Sequence, residues 1–193
     1  MGCKMEQGKK DDRRTRYTKM VIRQALLDLM KQNPINKITV TEICTRAEIN
    51  RGTFYAYYTD VFDLMTQIES ELFSEVNKWI EKPLKTGTTS DMLFEILDYI
   101  SKNNDLCKVL LGPNGDKDFV RRIVNIGHDK SIAEWRLAEP DADAEALELL
   151  YVFICNGTVG IVENWIVNDT KQSPKEIAGY IADLINRCLY KCG

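Results

Sequence analysis

The side chains best suited to chemistry with a partner molecule are concentrated in residues 50–58. This stretch reads NRGTFYAYY and contains one arginine, one threonine and three tyrosines. A guanidinium can donate two parallel hydrogen bonds to a guanine edge, and hydroxyl groups can donate to phosphate oxygens. These residue types at adjacent positions indicate contact with DNA more than burial in a core.

The chain offers little for catalysis or metal binding. It has one histidine, no glycine-rich phosphate loop, and six scattered cysteines without a CxxC pair. Enzymes and metal sites need such groups clustered at particular spacings. We therefore expect no enzymatic activity, no metal and no cofactor. A helical enzyme and a protein-binding adaptor are kept as alternatives from other classes.

Charge is distributed unevenly along the 193 residues. Residues 1–60 hold 12 basic and 7 acidic side chains, whereas the remainder holds 14 basic and 22 acidic ones. A basic first part favours a polyanionic partner for that part alone. The N-terminus, MGCKMEQGKKDDRR, lacks the apolar segment of a signal peptide. No apolar run predicts a membrane span, so we expect a cytoplasmic protein without membrane contact.

Apolar residues recur at helical spacing almost throughout, which predicts an all-α fold. Capping signals mark several helix starts: Thr39 with Glu42, Asn50, Asp60, and Ser173 with Glu176. The uncharged stretch 149–162 predicts a buried helix that is apolar nearly all round and must be covered on more than one side. The predicted helices span residues 17–31, 40–47, 51–58, 61–81, 90–102, 105–111, 116–138 and 145–168, with a last one from 174. The composition changes most clearly at 82–89, KPLKTGTT, which predicts a seam between modules.

The second and third helices are joined by a tight turn at 48–50, which makes them a helix-turn-helix. In this motif the second helix lies in the major groove and its N-terminal side chains reach the bases. We therefore expect Arg51 to read a base, and Gly52 to let the backbone approach the DNA. The candidate DNA-binding residues are Thr39, Asn50, Arg51, Gly52, Thr53, Tyr55 and Tyr57.

The aromatic residues of the third helix divide between two faces. Phe54 and Tyr58, four residues apart, are predicted to face inward, and Tyr55 to project outward. Tyr57 is predicted to lie between these faces. Because so short a helix cannot bury all of them on one side, some tyrosine hydroxyls should be free to reach phosphate oxygens.

The segment RGTFYAYYTDVFDL resembles the signature of TetR/AcrR-type transcriptional regulators, over about residues 14–65. The resemblance implies a helix-turn-helix DNA-binding domain at 1–65, whose fourth helix continues to about 81 as a connector. It also implies a helical ligand-binding and dimerisation domain at 66–193. Among the candidates, it places Thr39, Arg51, Thr53, Tyr55 and Tyr57 at DNA-facing positions.

Two positions depart from the family pattern. Glu48 stands where the turn usually has glycine, and a left-handed residue other than glycine costs about 1 kcal/mol. Val61 stands where the fourth helix usually begins with a lysine that contacts phosphate. The second departure removes one charged contact and should make binding weaker and less dependent on salt.

The last two helices predict a homodimer. The segment GTVGIVENWIVNDTKQSPKEIAGYIADLI resembles the C-terminal ending of such regulators from low-GC Gram-positive bacteria, which pair these helices in a four-helix bundle. So much apolar surface usually marks an interface, the alternative being a hairpin internal to one subunit. The candidate interface residues are Ile161, Trp165, Ile177, Ile181, Leu184 and Ile185.

The resemblance also implies a pocket for a small-molecule effector of unknown identity. The candidate lining residues are Tyr99, Phe119, His128, Trp135, Tyr151 and Asn156. The expected function is a dimeric repressor that a ligand releases from a palindromic operator in double-stranded DNA. An activator or a co-activator-dependent regulator of the same architecture remains the alternative.

Overall fold

The computed structural model describes residues 3–81, 89–112, 114–169 and 171–189. Within these ranges the chain forms ten α-helices, one 3₁₀ turn at Ile35–Lys37 and no strand, so the predicted all-α class is confirmed. The helices are α1 (Cys3–Met30), α2 (Val40–Arg46), α3 (Arg51–Tyr55), α4 (Val61–Glu81), α5 (Thr89–Lys102), α6 (Asn104–Leu110), α7 (Lys117–Asn125), α8 (His128–Ala138), α9 (Ala144–Val167) and α10 (Pro174–Leu189).

The chain divides into two compact units, which we call the N-terminal unit (Met1–Glu71) and the C-terminal unit (Leu72–Gly193). The division falls inside α4. The functional boundary expected at 65/66 stays a prediction. The seam expected at 82–89 falls on residues 82–88, which lie outside the described ranges.

Helix starts follow the capping signals in the sequence. At α2 the Thr39 hydroxyl accepts the Glu42 amide at 3.2 Å, and the Glu42 carboxylate accepts the Thr39 amide at 2.8 Å. Ser173 and Glu176 form the same reciprocal pair at α10. Asn50 caps α3 by accepting the amide of Thr53 at 2.8 Å. These short-range bonds satisfy amides that a helix start otherwise leaves unpaired.

Three predicted helices differ from the structure by more than one residue at an end or in number. The single helix predicted at 116–138 is two helices, α7 and α8, separated at Gly127. Glycine has a high entropic cost inside a helix and commonly ends one. The third helix ends at Tyr55 instead of Tyr58, with Ala56 as its C-cap, and α1 begins well before residue 17.

Each unit has its own apolar core. In the N-terminal unit Ile22, Leu26, Ile43, Phe54 and Leu64 are fully buried. In the C-terminal unit α5 packs on α10, and their buried residues join those of α9 in one cluster. Burial of apolar surface is the main favourable term for both units.

The cap of α10 generates a stability prediction. Ser173→Ala should lower the free energy of unfolding by about 1 kcal/mol at neutral pH, because the Glu176 amide loses its acceptor. Hydrogen bonds from Ser173 hold the pKa of Glu176 below its ordinary value. The stabilisation that these hydrogen bonds give to the folded state is present at neutral pH, and it is lost as the pH falls through the lowered pKa of Glu176.

Urea denaturation followed by circular dichroism should therefore show a difference between Ser173→Ala and wild type that narrows in acid. Ser101→Ala, inside α5, is the control and should stay within about 0.5 kcal/mol of wild type. If Ser173→Ala had the same free energy of unfolding as wild type at neutral pH, the assigned cap would be contradicted.

Candidate nucleic-acid interface and ligand cavity

Helices α2 and α3 form a helix-turn-helix whose turn depends on one left-handed residue. Glu48 has φ of 54°, so the turn keeps the conformation that glycine usually supplies. The Ile49 amide donates to the Cys44 carbonyl at 3.0 Å and the Ala47 amide to the Ile43 carbonyl at 2.8 Å. The departure at Glu48 therefore leaves the motif intact at the cost of local strain.

Helix α3 has a buried face and an exposed face, as predicted. Phe54 is 0% exposed and Tyr58 6%, whereas Tyr55 is 55% exposed. The Phe54 ring contacts both tyrosines, with centroid distances of 5.6 Å in each case. The buried pair anchors the short helix and leaves the Tyr55 ring and hydroxyl accessible.

The N-terminal end of α3 is held by hydrogen bonds among its own candidate residues. The Asn50 side-chain oxygen accepts from both the amide and the hydroxyl of Thr53, at 2.8 and 3.1 Å. A Cβ at Gly52 would lie 3.2 Å from that same oxygen. Besides any approach to DNA, glycine here lets the Asn50 side chain form the cap without a shift of a few tenths of an ångström.

The guanidinium of Arg51 is exposed but anchored. Its Nη2 donates a hydrogen bond to the Thr41 hydroxyl on α2. The sequence reasoning missed this contact, because the two residues lie in different helices. Holding the side chain in place reduces the rotamer freedom that Arg51 would lose on binding.

The hydroxyls of two candidate DNA-binding residues, Thr39 and Thr53, already donate hydrogen bonds within the protein. The Thr39 hydroxyl donates to the Glu42 carboxylate at 2.7 Å, and the Thr53 hydroxyl donates to Asn50. The hydrogen bonds from Thr39 hold the pKa of Glu42 below its ordinary value. A hydroxyl has only one proton to donate, so a phosphate would have to replace these partners.

Tyr57 is half-buried between one aromatic neighbour, Tyr58, and one cationic neighbour, Lys19. Its ring centroid lies 6.4 Å from that of Tyr58 and 5.7 Å from the ammonium nitrogen of Lys19 on α1. Nothing in the local sequence pattern pointed to Lys19. Val61, at the usual position of the family lysine, is buried in the core.

A cavity of about 310 Å³ lies within the C-terminal unit, and every helix from α4 to α10 contributes to its lining. The lining is predominantly aliphatic and aromatic, which is typical of small-molecule sites. Four of the candidate residues line it: Tyr99, Phe119, Trp135 and Tyr151.

The other two candidates, His128 and Asn156, are not among the residues that line this cavity, so a role for them in ligand binding stays a prediction. Asn156 is exposed and donates to the Val152 carbonyl of its own helix at 2.7 Å. The His128 ring nitrogens contact the carboxylates of Asp129 and Glu148 at 2.8 and 2.7 Å. These hydrogen bonds raise the pKa of His128 above its ordinary value.

Polar groups in the lining are few. The Tyr151 hydroxyl donates to the Val124 carbonyl at 2.6 Å, and burial raises the pKa of Tyr151 well above its ordinary value, so it stays neutral. Among the described residues, the charged side chains of the lining are Lys130 and Glu134, both on α8. The cavity therefore suits a mainly apolar ligand with a small polar part.

The predicted dimer residues need correction. Trp165 is 2% exposed and belongs, with Ile177 and Ile181, to the core of the C-terminal unit. Ile161 and Ile185 are partly buried against that core, and only Leu184 is exposed. Most of this set packs within the subunit because the helical period identifies apolar positions, but not which of them face the chain's own core.

A different set of apolar side chains on α9 and α10 faces outward, which we call the outer face. Phe153 is 68% exposed, and no atom lies within 4 Å of a Cβ built at Gly157 or Gly160. Within one subunit part of the apolar surface of α9 is therefore uncovered, and its cover by a second chain stays a prediction. The outer face comprises Leu149, Val152, Phe153, Gly157, Gly160, Val167, Tyr180 and Leu184.

Helix α9 is unusually long and apolar. Among the described residues it is the one helix long and apolar enough to cross a membrane by length and composition. It also packs against α6, α8 and α10. In the same described ranges, no group of three or more histidine, cysteine or carboxylate side chains could hold a metal ion.

A helix-turn-helix with an exposed polar helix start, followed by a larger helical unit, defines a transcriptional regulator of the helix-turn-helix class. Residues 87–187 match the TetR_C_8 family model, the C-terminal region of transcriptional regulators. This match covers more than half of the chain. The protein belongs to the TetR family of transcriptional regulators.

Individual relatives agree with this assignment. The activator of the dhaKLM operon, DhaS of Lactococcus lactis subsp. lactis (strain IL1403), is 36% identical over 59 residues, 31% of this chain and 32% of DhaS. The chain thus matches less than a third of the length of its curated relatives.

Solved structures match over most of their length. A TetR transcriptional regulator from Streptococcus agalactiae 2603V has a TM-score of 0.63 and 22% identity, covering 92% of this chain and 98% of its own. FadR from Bacillus subtilis, in complex with stearoyl-CoA, has a TM-score of 0.63 and 18% identity, covering 86% and 96%. These likenesses show the shared fold.

Proposed function

We propose that the protein is a cytoplasmic, homodimeric repressor that binds a palindromic DNA operator and is released from it by a small apolar ligand. The observation that carries this proposal is the division of α3 into two faces. Phe54 is buried, while Arg51 and Tyr55 are exposed on the same five-residue helix; Tyr58, just beyond the C-terminal end of α3, is buried with Phe54. Exposed groups of these types serve no purpose in packing and suit the edge of a DNA groove.

In the proposed complex α3 enters the major groove by its N-terminal end. Arg51, steadied by Thr41, donates two hydrogen bonds to a guanine. The hydroxyls of Tyr55 and Tyr57 donate to phosphate oxygens and set the register. Thr39 and Thr53 contribute chiefly by fixing the starts of α2 and α3, because their hydroxyls already serve the caps.

Arg51→Ala tests the assignment to DNA. The variant should lose about 1–3 kcal/mol of discrimination between a duplex selected by the wild type from a random pool and a scrambled duplex. Electrophoretic mobility shift measures both affinities. Arg121→Ala, which removes an exposed arginine paired with Asp118 on α7, is the matched control and should keep the preference. If Arg51→Ala kept the wild-type preference for the selected over the scrambled duplex, Arg51 would not be a base-reading residue.

The outer face of α9 and α10 supports the proposed homodimer. Several exposed apolar side chains lie on α9 and α10, two helices that contact each other, and large exposed apolar patches usually mark an interface. The two glycines of α9 would allow a second backbone to approach closely. Dimerisation would present two copies of α3 to two half-sites of a palindrome. One short helix alone contacts too few base pairs to select an operator in a genome.

Phe153→Glu tests the dimer. The substitution places a carboxylate on the outer face of each subunit, at a position where Phe153 is 68% exposed, and desolvation and repulsion should shift the protein to monomers. Sedimentation velocity should show the shift, and operator affinity should fall with it. Leu137→Glu, at an 83% exposed position on α8, is the control and should leave the sedimentation coefficient unchanged. A Phe153→Glu protein that sediments like wild type would exclude this interface.

The cavity supports a ligand-responsive function. Its lining favours a compact, mainly apolar molecule whose polar part would lie near Lys130, Ser131 and Glu134 of α8. FadR of Bacillus subtilis holds stearoyl-CoA in the same fold, which makes an apolar chain a reasonable ligand class for this protein too. Val76, Trp79 and Ile80 bring the second half of α4 into contact with any occupant.

Release would follow from a difference in ligand affinity between two conformations. Helix α4 runs without interruption from Val61 to Glu81, so it covalently joins the cavity lining to the helix-turn-helix. A ligand that favours the conformation unable to bind DNA by about 3 kcal/mol would weaken operator binding roughly a hundredfold. This coupling needs no contact between ligand and DNA.

Val159→Trp tests the cavity as a binding site. Val159 lines the cavity, and an indole at this position should exclude other occupants. The uncharged apolar dye N-phenyl-1-naphthylamine should bind wild type with enhanced fluorescence, and the variant at least about tenfold more weakly. Leu137→Trp, at an exposed position, serves as control. Equal dye affinities for Val159→Trp and wild type would place the binding elsewhere.

An activator is the second candidate function. DhaS, similar over 59 residues, is an activator by name. The DNA contacts proposed above would be the same for an activator and a repressor. The position of the operator relative to the promoter would decide the direction of regulation.

A further inference from the structure

We propose that Lys19 on α1 is an additional DNA-backbone contact, which places a positive charge beside Tyr57 at the edge of the helix-turn-helix. This inference rests on the proposed binding to DNA and adds a residue outside the recognised motif. Its ligand is a phosphodiester oxygen of the duplex.

The position of Lys19 follows from its contact with Tyr57. The ammonium nitrogen lies 5.7 Å from the centroid of the Tyr57 ring, within the range of a cation–π interaction. That ring is half-buried against Tyr58, so its orientation is fixed by packing. Lys19 itself is exposed, and the ring therefore sets its ammonium at the surface beside the Tyr57 side chain.

The charge of Lys19 is available to a partner. Its ammonium makes no ion pair with any carboxylate of the described residues. By contrast, Arg23 on the same helix pairs with Glu71 at 2.7 Å, and Lys31 pairs with Asp28 at 3.1 Å. A cation already paired with a carboxylate contributes less to attraction of a polyanion.

Neither α3 nor the start of α4 supplies a positive charge next to Tyr57. Arg51 is the one basic residue of α3, and it is tied to Thr41 at the opposite end of that helix. Val61, the first residue of α4, is uncharged and buried. Lys19 therefore supplies, from another helix, the cation that would accompany a Tyr57 hydroxyl bound to phosphate. Such a contact adds affinity without reading sequence.

The test is the salt dependence of binding to a duplex that the wild type selects from a random pool. Each cation that neutralises a phosphate contributes about −0.9 to the slope of log affinity against log salt concentration. Lys19→Met should therefore make the slope shallower by about 0.9 per protomer. It should also lower the affinity for the selected duplex and for a scrambled duplex by the same factor. Lys19→Arg keeps the charge and should retain the wild-type slope.

Lys31→Met is the matched control, because it removes the same charge from a lysine that is paired with Asp28. Its slope should equal that of wild type. A Lys19→Met slope equal to wild type, with folding verified by circular dichroism, would overturn the role of Lys19 while leaving the proposed function standing. A wild type that selects no duplex from the pool would overturn the proposed function and this inference with it.

Discussion

Burial of the Phe54 side chain is the interaction on which the DNA-facing surface depends. A helix of five residues has too few hydrogen bonds to be stable alone. Phe54 is fully buried and contacts the rings of Tyr55 and Tyr58, so packing replaces the missing helical cooperativity. Once that ring is fixed, the orientation of every other α3 side chain follows from the helical period.

The polar contacts around α3 complete what this packing begins. Asn50 satisfies the amide and hydroxyl of Thr53, and Thr41 accepts a hydrogen bond from Arg51. Preorganised side chains lose less entropy on binding, so the motif is stiffened where a base would be read. The strain at Glu48 is tolerated because the hydrogen bonds and packing on either side of the turn determine its conformation.

Features that depend on residues close together in sequence were predicted, whereas contacts between residues of different helices were not. The caps at Thr39, Asn50 and Ser173 act over three residues, and all were predicted. The contacts of Arg51 with Thr41 and of Lys19 with Tyr57 join different helices, and no periodicity encodes them. The same limit explains Trp165, whose apolar character was evident although its direction, toward the chain's own core, was not.

The crowding at Gly52 has a consequence for redesign of the DNA-reading surface. A larger residue there would place its first added carbon 3.2 Å from the Asn50 side-chain oxygen, so this capping oxygen would have to shift by a few tenths of an ångström. An engineer seeking altered operator preference should therefore randomise Arg51 and Tyr55, whose side chains are exposed. Positions 50 and 52 are less suitable targets, since substitutions there would act on the helix cap as well as on the DNA-facing surface.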